Sequence, residues 1–512
     1  MSDDAIVSIT PEIALDEGYT YAGGLGVLEG DKFYTAARLG LNYYVLTLLY
    51  RGGYVDYDFD ADGTPVPRAQ PQPQSFLGGL QKCCELELKL KGESASVVAW
   101  QYRRGSASVI FFDPQAPEWA IHLTDRLFIE KDLPERFLKY VLLARASAEY
   151  IKEVLDPESI RYVDLQEAYT AFLPLILRLP GRYRLIVHTP GPWGHPAFPR
   201  DFFEKEFGYK MIEEKVVLTT LGAIMSGEVI MVSAKHYDIM RRVIPHLLEK
   251  ARFVTNGIDL ERWMHRRIRE KYEKGELNSE SFSSSKSEAR GDLARLVNAK
   301  KPVQAIKDRA VIVWARRLTK YKRPYFVTRL VEELRDEAVF VLGGKAHPED
   351  KEGLQFMKAF KELEKKYSNV VYFHDYDVGK ARVILAGGDI LLFTPFSGWE
   401  ASGTSFMKAA VNGTVPIASR DGAAVELITD GVNGWLFGHD IRDLVDFGRD
   451  PRVAEIDARE YEELEAKLQK ALDLFNSDRE GFQTIALSSI LTFAPRVDMK
   501  RVLREYYPDF VK

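Results

Sequence analysis

The amino-acid sequence predicts an α/β protein of two domains, the second of them built on a parallel sheet. The chain has 512 residues, and one hydrophobic core stops growing at about 250–300 residues. From residue 310 onward, short apolar runs alternate with segments of helical spacing, which is typical of βαβ units with right-handed crossovers. A polar, serine-rich stretch at residues 266–305 precedes this region, and we expect it to be a linker or an exposed excursion.

The second half of the chain shows the alternation most regularly. Strands are expected at residues 310–315, 338–342, 370–373, 390–393 and 415–418, and helices at 325–334, 354–367, 378–385 and 405–411. Gly413 is expected to close the last of these helices. Because parallel sheets bind ligands beyond the carboxyl ends of their strands, we expect the chemistry in the loops after Ala315, Leu342 and Phe393.

The first half, residues 1–265, alternates in the same way but less regularly. Residues 185–187 and 229–232 read as buried strands. The long apolar run at 216–232 contains Glu228 and is interrupted by a serine and a glycine at 226–227. We therefore interpret it as a buried helix followed by a strand, not as a membrane span.

Composition excludes several classes of partner. The net charge is −5, with 70 basic and 75 acidic residues, so neither a nucleic-acid surface nor a basic membrane patch is expected. The two cysteines, Cys83 and Cys84, are adjacent and do not form a disulfide framework. With no signal segment visible at the start, the sequence predicts a reducing, cytoplasmic location.

The segment from Glu400 to Lys408, EASGTSFMK, carries the strongest chemical signal. A predicted strand ends before it, and a helix is expected to begin near Thr404. The first amides of such a helix can bind an anion, and Lys408, one turn later, lies on the same face. This geometry suits pyridoxal phosphate, whose aldehyde reacts with a lysine. On spacing alone, a capped surface helix with an exposed lysine explains the segment as well.

The longer string EASGTSFMKAAVN resembles the pyridoxal-phosphate attachment segment of the α-glucan phosphorylase family. The resemblance implies that Lys408 is the Schiff-base lysine and that Thr404 contacts the cofactor phosphate. It also implies that Glu400, Ser402 and Gly403 contact the glucosyl hydroxyls.

A second segment, RRLTKYKR, follows the predicted strand that ends at Ala315. Arginine can grip a phosphate through two N–H groups, and lysine acts as a compact charge; the alternative is a solvated basic face. The segment resembles a basic element of the same family. That resemblance implies that Arg317 and Lys322 hold the substrate phosphate, that Arg316 lies near the cofactor phosphate, and that Tyr321 contacts substrate. Arg316 stands where the family usually has lysine.

Three further segments resemble the family. The string GGLGVLEGD matches its N-terminal glycine loop, which would place Gly24 and Leu25 at the sugar and phosphates, with Gly24 also at the cofactor. A strand leads into His188, which by resemblance binds the glucosyl 6-hydroxyl while its carbonyl faces the developing positive charge. TNGIDLERW implies that Asn256 contacts the sugar and that Trp263 packs near the cofactor. His195 is interpreted as structural.

The resemblance implies a GT-B-like fold with two Rossmann-like domains facing a deep cleft. The N-terminal domain would span 1–265 and the C-terminal domain 306–480, with helices in 481–512 packing back across the hinge. The activity implied is that of a hexosyltransferase of glycogen metabolism. It would convert α-1,4-glucan and inorganic phosphate reversibly to glucose 1-phosphate with retention, using pyridoxal 5′-phosphate and no metal ion. The oligomeric state is open, with a homodimer as one option.

Two alternatives stay open at this point. One is a glycogen synthase that uses a nucleotide sugar, because GTVPIASRDGAAVELITDGVNGWLFG reads almost like a synthase terminus. Lys408 in its segment argues against it, since a synthase does not require that lysine. The other is a non-catalytic, glucan-binding relative, against which the intact basic and lysine positions argue.

Overall fold

The computed structural model describes residues 4–511, apart from the side chains of residues 246–248. The described chain divides into two compact units. Unit 1 contains residues 4–54, 69–255 and 503–511, and unit 2 contains residues 55–68 and 256–502. Both units are mixed α/β structures with parallel strands, as the sequence predicts.

The main sheet of unit 1 has nine strands. In spatial order they are Ala251–Phe253, Glu228–Met231, Tyr183–Val187, Ile160–Gln166, Ala5–Ile9, Tyr43–Leu48, Ala107–Ala116, Glu93–Arg104 and Gln81–Leu90. The first seven pair in parallel, and the last two form an antiparallel extension. Between Ala5–Ile9 and Ile160–Gln166 the chain order reverses, which creates the kind of crevice where α/β sheets bind ligands.

Helices and one small hairpin surround this sheet. The helices are Gly24–Arg38, Gln74–Gly78, Glu118–His122, Leu133–Glu153, Leu173–Ile176, Arg200–Phe207, Leu218–Met225 and Ala234–Val243, and the hairpin pairs Ala197–Pro199 with Lys215–Val217. The predicted helix and strand at 216–232 are confirmed, but the helix is not fully buried, since Ile224 is 60% exposed. Among residues 4–511, no helix is both long and apolar enough to cross a membrane.

The sheet of unit 2 has six parallel strands, and every strand predicted for this region is confirmed. In spatial order they are Val370–Phe373, Ala338–Gly343, Ala310–Ala315, Ile390–Phe393, Val415–Ser419 and Trp435–Phe437. The first strand in the chain lies beside the second and the fourth. The loops that leave Ala310–Ala315 and Ile390–Phe393 therefore start at the switch point of the sheet.

The helices of unit 2 include the four that the sequence predicts. They are Leu260–Trp263, Arg266–Glu273, Ser279–Lys300, Pro324–Glu333, Lys351–Lys366, Val378–Gly387, Ser405–Ala410, Ala424–Leu427, Arg452–Ser477 and Arg479–Val497, and the chain passes into unit 1 within Met499–Tyr506. Gly413, with φ +67°, follows the helix that it was expected to close.

The prediction of a linker at 266–305 is wrong. Two helices, Arg266–Glu273 and Ser279–Lys300, occupy most of this stretch and belong to unit 2. The longer helix buries a narrow apolar face that includes Phe282 and Leu293. Its other faces are polar, and this composition hides the helix in the sequence. The unit boundaries consequently differ from those expected, lying after residue 255 and after residue 502.

A short hairpin from the first half of the sequence belongs to unit 2 rather than to the N-terminal region. Its strands are Asp56–Phe59 and Pro65–Arg68. The hydroxyl of Tyr57 donates to the carbonyl of Ala346 at 3.0 Å, and the ring of Phe59 meets His374 edge-on at 5.0 Å. Such contacts join residues about 300 positions apart, so local sequence patterns do not predict them.

Candidate functional site

The two loops at the switch point of unit 2 are fastened to each other. The indole of Trp314 donates to the hydroxyl of Thr394 at 3.0 Å, and that hydroxyl donates to the carbonyl of Lys322 at 2.7 Å. Arg323 is fully buried and donates to the carbonyls of Thr394 and Pro395 at 2.8 and 2.9 Å. It also pairs with Glu460 at 2.6 Å. Arg323 therefore serves the framework of these loops.

Two of the predicted phosphate-binding residues converge on one carboxylate. The guanidinium of Arg316 donates to Oε2 of Glu400 at 2.6 Å, and Nζ of Lys322 lies 3.6 Å from the same oxygen. Arg316 is 7% exposed, and its guanidinium carbon lies 4.3 Å from the ring centroid of Phe393. Its Nε and Nη1 atoms are buried without a hydrogen-bond partner among the described residues. Buried donors normally have partners, so this pair of N–H groups is suited to an added anion.

The pKa values of Lys322 and Glu400 agree with a site that is suited to an anion. Burial, together with the nearby charges of Arg316 and Arg317, lowers the pKa of Lys322 to about 7 against the opposing effect of Glu400. Burial acts to raise the pKa of Glu400, but Lys322 and the two arginines outweigh it and hold that pKa below its usual value. One carboxylate faces three cations, so the cluster has an excess of positive charge.

The remaining residues of the basic turn differ in exposure. Arg317 is exposed and hydrogen-bonds to Tyr321, whose ring is buried and stacks on Trp399 at a centroid distance of 6.1 Å. Burial raises the pKa of Tyr321. Lys320 is partly exposed and pairs with Glu352 at 2.6 Å. The turn is therefore not simply a solvated basic face, because its cations divide between interior and surface.

A buried aspartate that the sequence analysis did not single out holds the Glu400 loop. Asp421 accepts from the amide of Gly398 at 2.8 Å through Oδ1 and from the amide of Glu400 at 2.7 Å through Oδ2. Gly398 has φ +98°, a conformation that favours glycine. Asp421 lies in the string that reads almost like a synthase terminus, and that string was the available signal.

Lys408 is not an exposed surface lysine, so that alternative is wrong. It lies in the helix Ser405–Ala410, is 6% exposed, and places Nζ 4.0 Å from the ring centroid of Trp263. Asn412, fully buried, donates to the carbonyls of Trp263 and Lys408 at 2.9 and 2.8 Å. The amide side chain of Asn412 thus fixes the lysine helix against the tryptophan.

The residues expected at the sugar also meet within unit 2. Asn256 donates from Nδ2 to the carbonyl of Ser402 at 3.3 Å. The Ser402 hydroxyl is buried without a partner among the described residues. At Gly403 a β-carbon would lie 2.6 Å from the ring of Phe393, so the close approach requires glycine. Thr404, just before the helix, makes no side-chain capping bond.

In unit 1, the glycine-rich segment forms a shorter loop than expected. The helix Gly24–Arg38 begins at Gly24, so Leu25 and the later glycines are helical. Glu12 accepts hydrogen bonds from the amides of Ala22 and Gly23. A β-carbon at Gly26 would lie 2.9 Å from that carboxylate. Glu12, which sequence reasoning missed, therefore shapes the turn before the helix.

His188 directly follows the strand Tyr183–Val187 at the carboxyl edge of the unit 1 sheet. Its Nε2 lies 2.9 Å from Oε1 of Gln166, and its backbone amide donates to Oε2 of Glu167 at 3.0 Å. Burial, and secondarily the charge of Lys32, lowers the pKa of His188. The imidazole is therefore neutral at physiological pH and suited to hydrogen-bonding an uncharged hydroxyl.

Glu167 is a second residue that sequence reasoning missed. It has φ +68° and ψ +163°, a region that residues with side chains rarely adopt and that costs on the order of 1–3 kcal/mol. Its Oε1 atom is buried without a partner among the described residues. Burial raises the pKa of Glu167 to about 8. No local sequence pattern points to this residue.

His195 is held by its surroundings in unit 1. Its Nδ1 lies 2.7 Å from the hydroxyl of Thr219, and its Nε2 is buried without a partner among the described residues. Burial lowers its pKa, as it does for nearby His236, whose pKa falls to about 3. The interpretation of His195 as structural stays a prediction.

The family comparison concerns mainly unit 2. The family model described as carbohydrate phosphorylase matches residues 267–492. This range contains Arg316, Lys322, Glu400 and Lys408, and it ends before the chain passes into unit 1.

Comparisons with individual relatives extend the likeness to both units. The chain is 25% identical to a maltodextrin phosphorylase of Thermococcus litoralis over 96% of its own length and 68% of the relative's. It is 25% identical to a glycogen phosphorylase of Aquifex aeolicus over 85% of its length and 76% of the relative's. A glycogen synthase of Chlamydia felis is 22% identical over 68% of this chain and 74% of that protein. The family and the first two relatives are glucan phosphorylases, which are glycosyltransferases. These matches confirm the resemblance that the motifs indicate: the chain is similar to glucan phosphorylases over most of its length.

Proposed function

We propose that this protein is a pyridoxal-phosphate-dependent α-1,4-glucan phosphorylase. The reaction is the reversible transfer of a terminal glucosyl unit to inorganic phosphate, giving glucose 1-phosphate with retained configuration. The observation that carries the proposal is the cluster of Arg316 and Lys322 around Glu400, with two buried guanidinium nitrogens left without partners. A cluster with excess positive charge and free donors is suited to phosphate groups.

The residues around Lys408 fit the cofactor. The buried amine lies against Trp263, and Asn412 fixes both residues, which suits attachment of a flat aromatic aldehyde. Arg316 and Thr404 would hold the cofactor phosphate. When bound, the cofactor supplies a phosphate group that exchanges a proton with the substrate phosphate.

Arg317 and Lys322 would bind the substrate phosphate. Lys322 has its pKa lowered to about 7 by burial, and an incoming dianion favours the charged ammonium. Glu400, whose pKa is held down by these cations, stays ionised and keeps Arg316 and Lys322 close together. The cations thus orient the substrate phosphate so that it can protonate the leaving glycosidic oxygen.

Polar groups of both units would bind the glucosyl unit. Glu400, Ser402, Gly403, Asn256 and Tyr321 in unit 2, and Gly24, Leu25 and His188 in unit 1, are the proposed sugar contacts. The neutral ring of His188 would bind the 6-hydroxyl, and its carbonyl would face the charge that develops on the sugar. This arrangement requires the two units to face a common cleft in a GT-B-like fold, which is part of the proposal.

Glycogen synthase is the second candidate, supported by the likeness to a glycogen synthase of Chlamydia felis. A synthase would use nucleotide-glucose and would not require a cofactor on Lys408. Glucan binding without turnover is the third candidate. The buried position of Lys408 beside Trp263 favours the phosphorylase over both.

One set of assays separates the three. The purified protein, reconstituted with pyridoxal phosphate, is incubated with maltoheptaose and inorganic phosphate, and glucose 1-phosphate is measured. The proposal predicts product that depends on both phosphate and cofactor. Turnover of ADP-glucose or UDP-glucose without the cofactor would support a synthase instead. Glucan binding with no turnover of any donor would support the third candidate.

A further inference from the structure

A buried acid in unit 1 lies next to the proposed sugar residue His188 without belonging to any predicted motif. Glu167 follows the strand Ile160–Gln166, which is the neighbour of Ala5–Ile9 at the reversal of strand order. It is 6% exposed. A side chain at a switch point is near the place where α/β sheets bind ligands.

The carboxyl group of Glu167 organises the turn after the neighbouring strand. Its Oε2 accepts from the backbone amide of His188 at 3.0 Å and from the hydroxyl of Thr189 at 3.3 Å. The amide of Glu167 itself donates to the carbonyl of Ile186 at 2.9 Å. These bonds tie the start of one loop to the start of the next, so Glu167 determines where the His188 backbone lies.

The backbone of Glu167 adopts a conformation that glycine would adopt more readily. Its φ of +68° and ψ of +163° lie in a sparsely populated region. Strain of this kind persists only where the surrounding structure imposes it, and it concentrates at functional sites. The strained backbone directs the side chain towards His188 and Thr189.

We propose that Glu167 is a positioning residue that fixes the His188–Thr189 backbone so that His188 can meet the glucosyl unit. This inference rests on the proposed function, because His188 is assigned to the sugar there. Glu167 itself is not required to touch substrate. Its Oε1 atom, buried and without a partner among the described residues, is not needed for the two bonds that Oε2 accepts.

The carboxyl group is uncharged at neutral pH. Burial raises its pKa to about 8, against the hydrogen bonds from His188 and Thr189, which lower it. The titratable side chains around it are Tyr169 on the following turn and the ring of His188, which faces Gln166. Neither supplies a positive charge at neutral pH, because burial lowers the pKa of His188. Glutamine, with one carbonyl oxygen, is therefore a close mimic of the native group.

The test compares three substitutions, Glu167→Gln, Glu167→Ala and Glu167→Gly, with Glu158→Ala as an exposed control. Phosphorolysis of maltoheptaose gives kcat and KM for each holoenzyme. We expect kcat of the alanine and glycine variants to fall roughly 100-fold, since a misplaced group costs about that much. The glutamine and control variants should stay within about threefold of the wild type.

The glycine variant separates side chain from backbone. It relieves the strained φ and should melt at a higher temperature than the alanine variant, yet be as inactive. A glycine variant with wild-type kcat, or a glutamine variant as impaired as alanine, would overturn the proposal.

Melting temperature against pH gives a readout that does not depend on activity. An acid whose pKa rises from about 4.5 unfolded to about 8 folded contributes stability that is lost as pH rises between these values. The melting temperature of Glu167→Gln relative to the wild type should therefore increase from pH 5 to pH 8 and level off above. A flat difference would overturn the buried, uncharged assignment. If the wild type fails to form glucose 1-phosphate while this difference is seen, the proposed function fails, and only the buried, uncharged state of the Glu167 carboxyl group stands.

Discussion

The carboxyl edges of the two main sheets differ in the charge of the side chains that lie there. In unit 2, Arg316 and Lys322 converge on Glu400 and leave an excess of positive charge. In unit 1, burial lowers the pKa of His188 and raises that of Glu167, so both groups are uncharged at neutral pH. One edge is suited to anions and the other to neutral hydroxyl groups.

This difference in charge follows from the partners of the buried groups in each unit. An ion can stay charged in the interior only when other charges or dipoles compensate it. In unit 2 the partner of each cation is Glu400, and further anions would complete the compensation. In unit 1 His188 and Glu167 are uncharged at neutral pH, so a neutral sugar needs no compensating charge there. A glucosyl phosphate combines both kinds of ligand, which is why the comparison supports a phosphorylase.

The largest expected effect is at Lys408. Lys408→Ala should abolish phosphorolysis and cofactor retention, because the buried amine beside Trp263 is the proposed attachment point. Lys320→Ala, which removes a partly exposed lysine of the basic turn, should change kcat by less than about threefold, since exposed ion pairs contribute little. Glucose 1-phosphate formation is the measurement. Full activity in Lys408→Ala would remove the basis for the cofactor site.

The next largest effect is at the cation cluster. Arg316→Ala and Lys322→Ala should each lower kcat by about 100- to 1,000-fold, the usual cost of removing a preorganised charge stabiliser. Arg316→Lys, which installs the residue the family usually has, should retain far more activity than Arg316→Ala. Equal loss in the lysine and alanine variants would show that charge at this position is not the property that matters.

Backbone geometry beside the cluster gives a stability prediction. Gly344 has φ +124°, and a β-carbon there would lie 1.9 Å from the carbonyl oxygen of Arg316. Gly344→Ala should lower the free energy of unfolding by more than about 4 kcal/mol. Gly63→Ala, at φ +73° with nothing within 4 Å, should cost about 1–2 kcal/mol. Denaturant melts measure both, and similar losses would contradict the close packing at Arg316.

The smallest expected effect is the pH dependence of phosphate binding at the carboxyl edge of the unit 2 sheet. Lys322 loses its proton as pH rises through about 7, so phosphate affinity should weaken by up to about tenfold per pH unit above that value. Calorimetric titration with phosphate gives the affinities. Lys322→Met should lose this component and keep only the part due to phosphate ionisation. An unchanged profile in Lys322→Met would assign the pH dependence elsewhere.

Much of unit 2 could be predicted from the sequence because its strands are buried on both faces. Runs such as Ala310–Ala315 and Ile390–Phe393 are continuously apolar, and such runs stand out from amphipathic helices. The helix Ser279–Lys300 escaped because it buries only a narrow apolar face. The hairpin Asp56–Phe59 and Pro65–Arg68 could not be placed in unit 2, because the contacts that place it come from distant sequence.

The candidate site likewise contains some residues that the sequence reveals and others that it does not. Lys408 and Arg316 belong to contiguous motifs and were found from the sequence. Asp421, Asn412 and Glu167 act through hydrogen bonds to backbone groups, those of Glu400, Lys408 and His188 respectively. Their residue types are common in turns and caps, so only the three-dimensional neighbours reveal what they hold.

The most direct test of the account is to locate the cofactor chemically. The holoenzyme is reduced with borohydride, digested, and the modified lysine is identified by peptide mass spectrometry. Lys322 is a genuine competitor, because its pKa is lowered to about 7 and its side chain is only 12% exposed. The account predicts pyridoxyl modification on Lys408 and none on Lys322. Modification on Lys322, or none on Lys408, would contradict it.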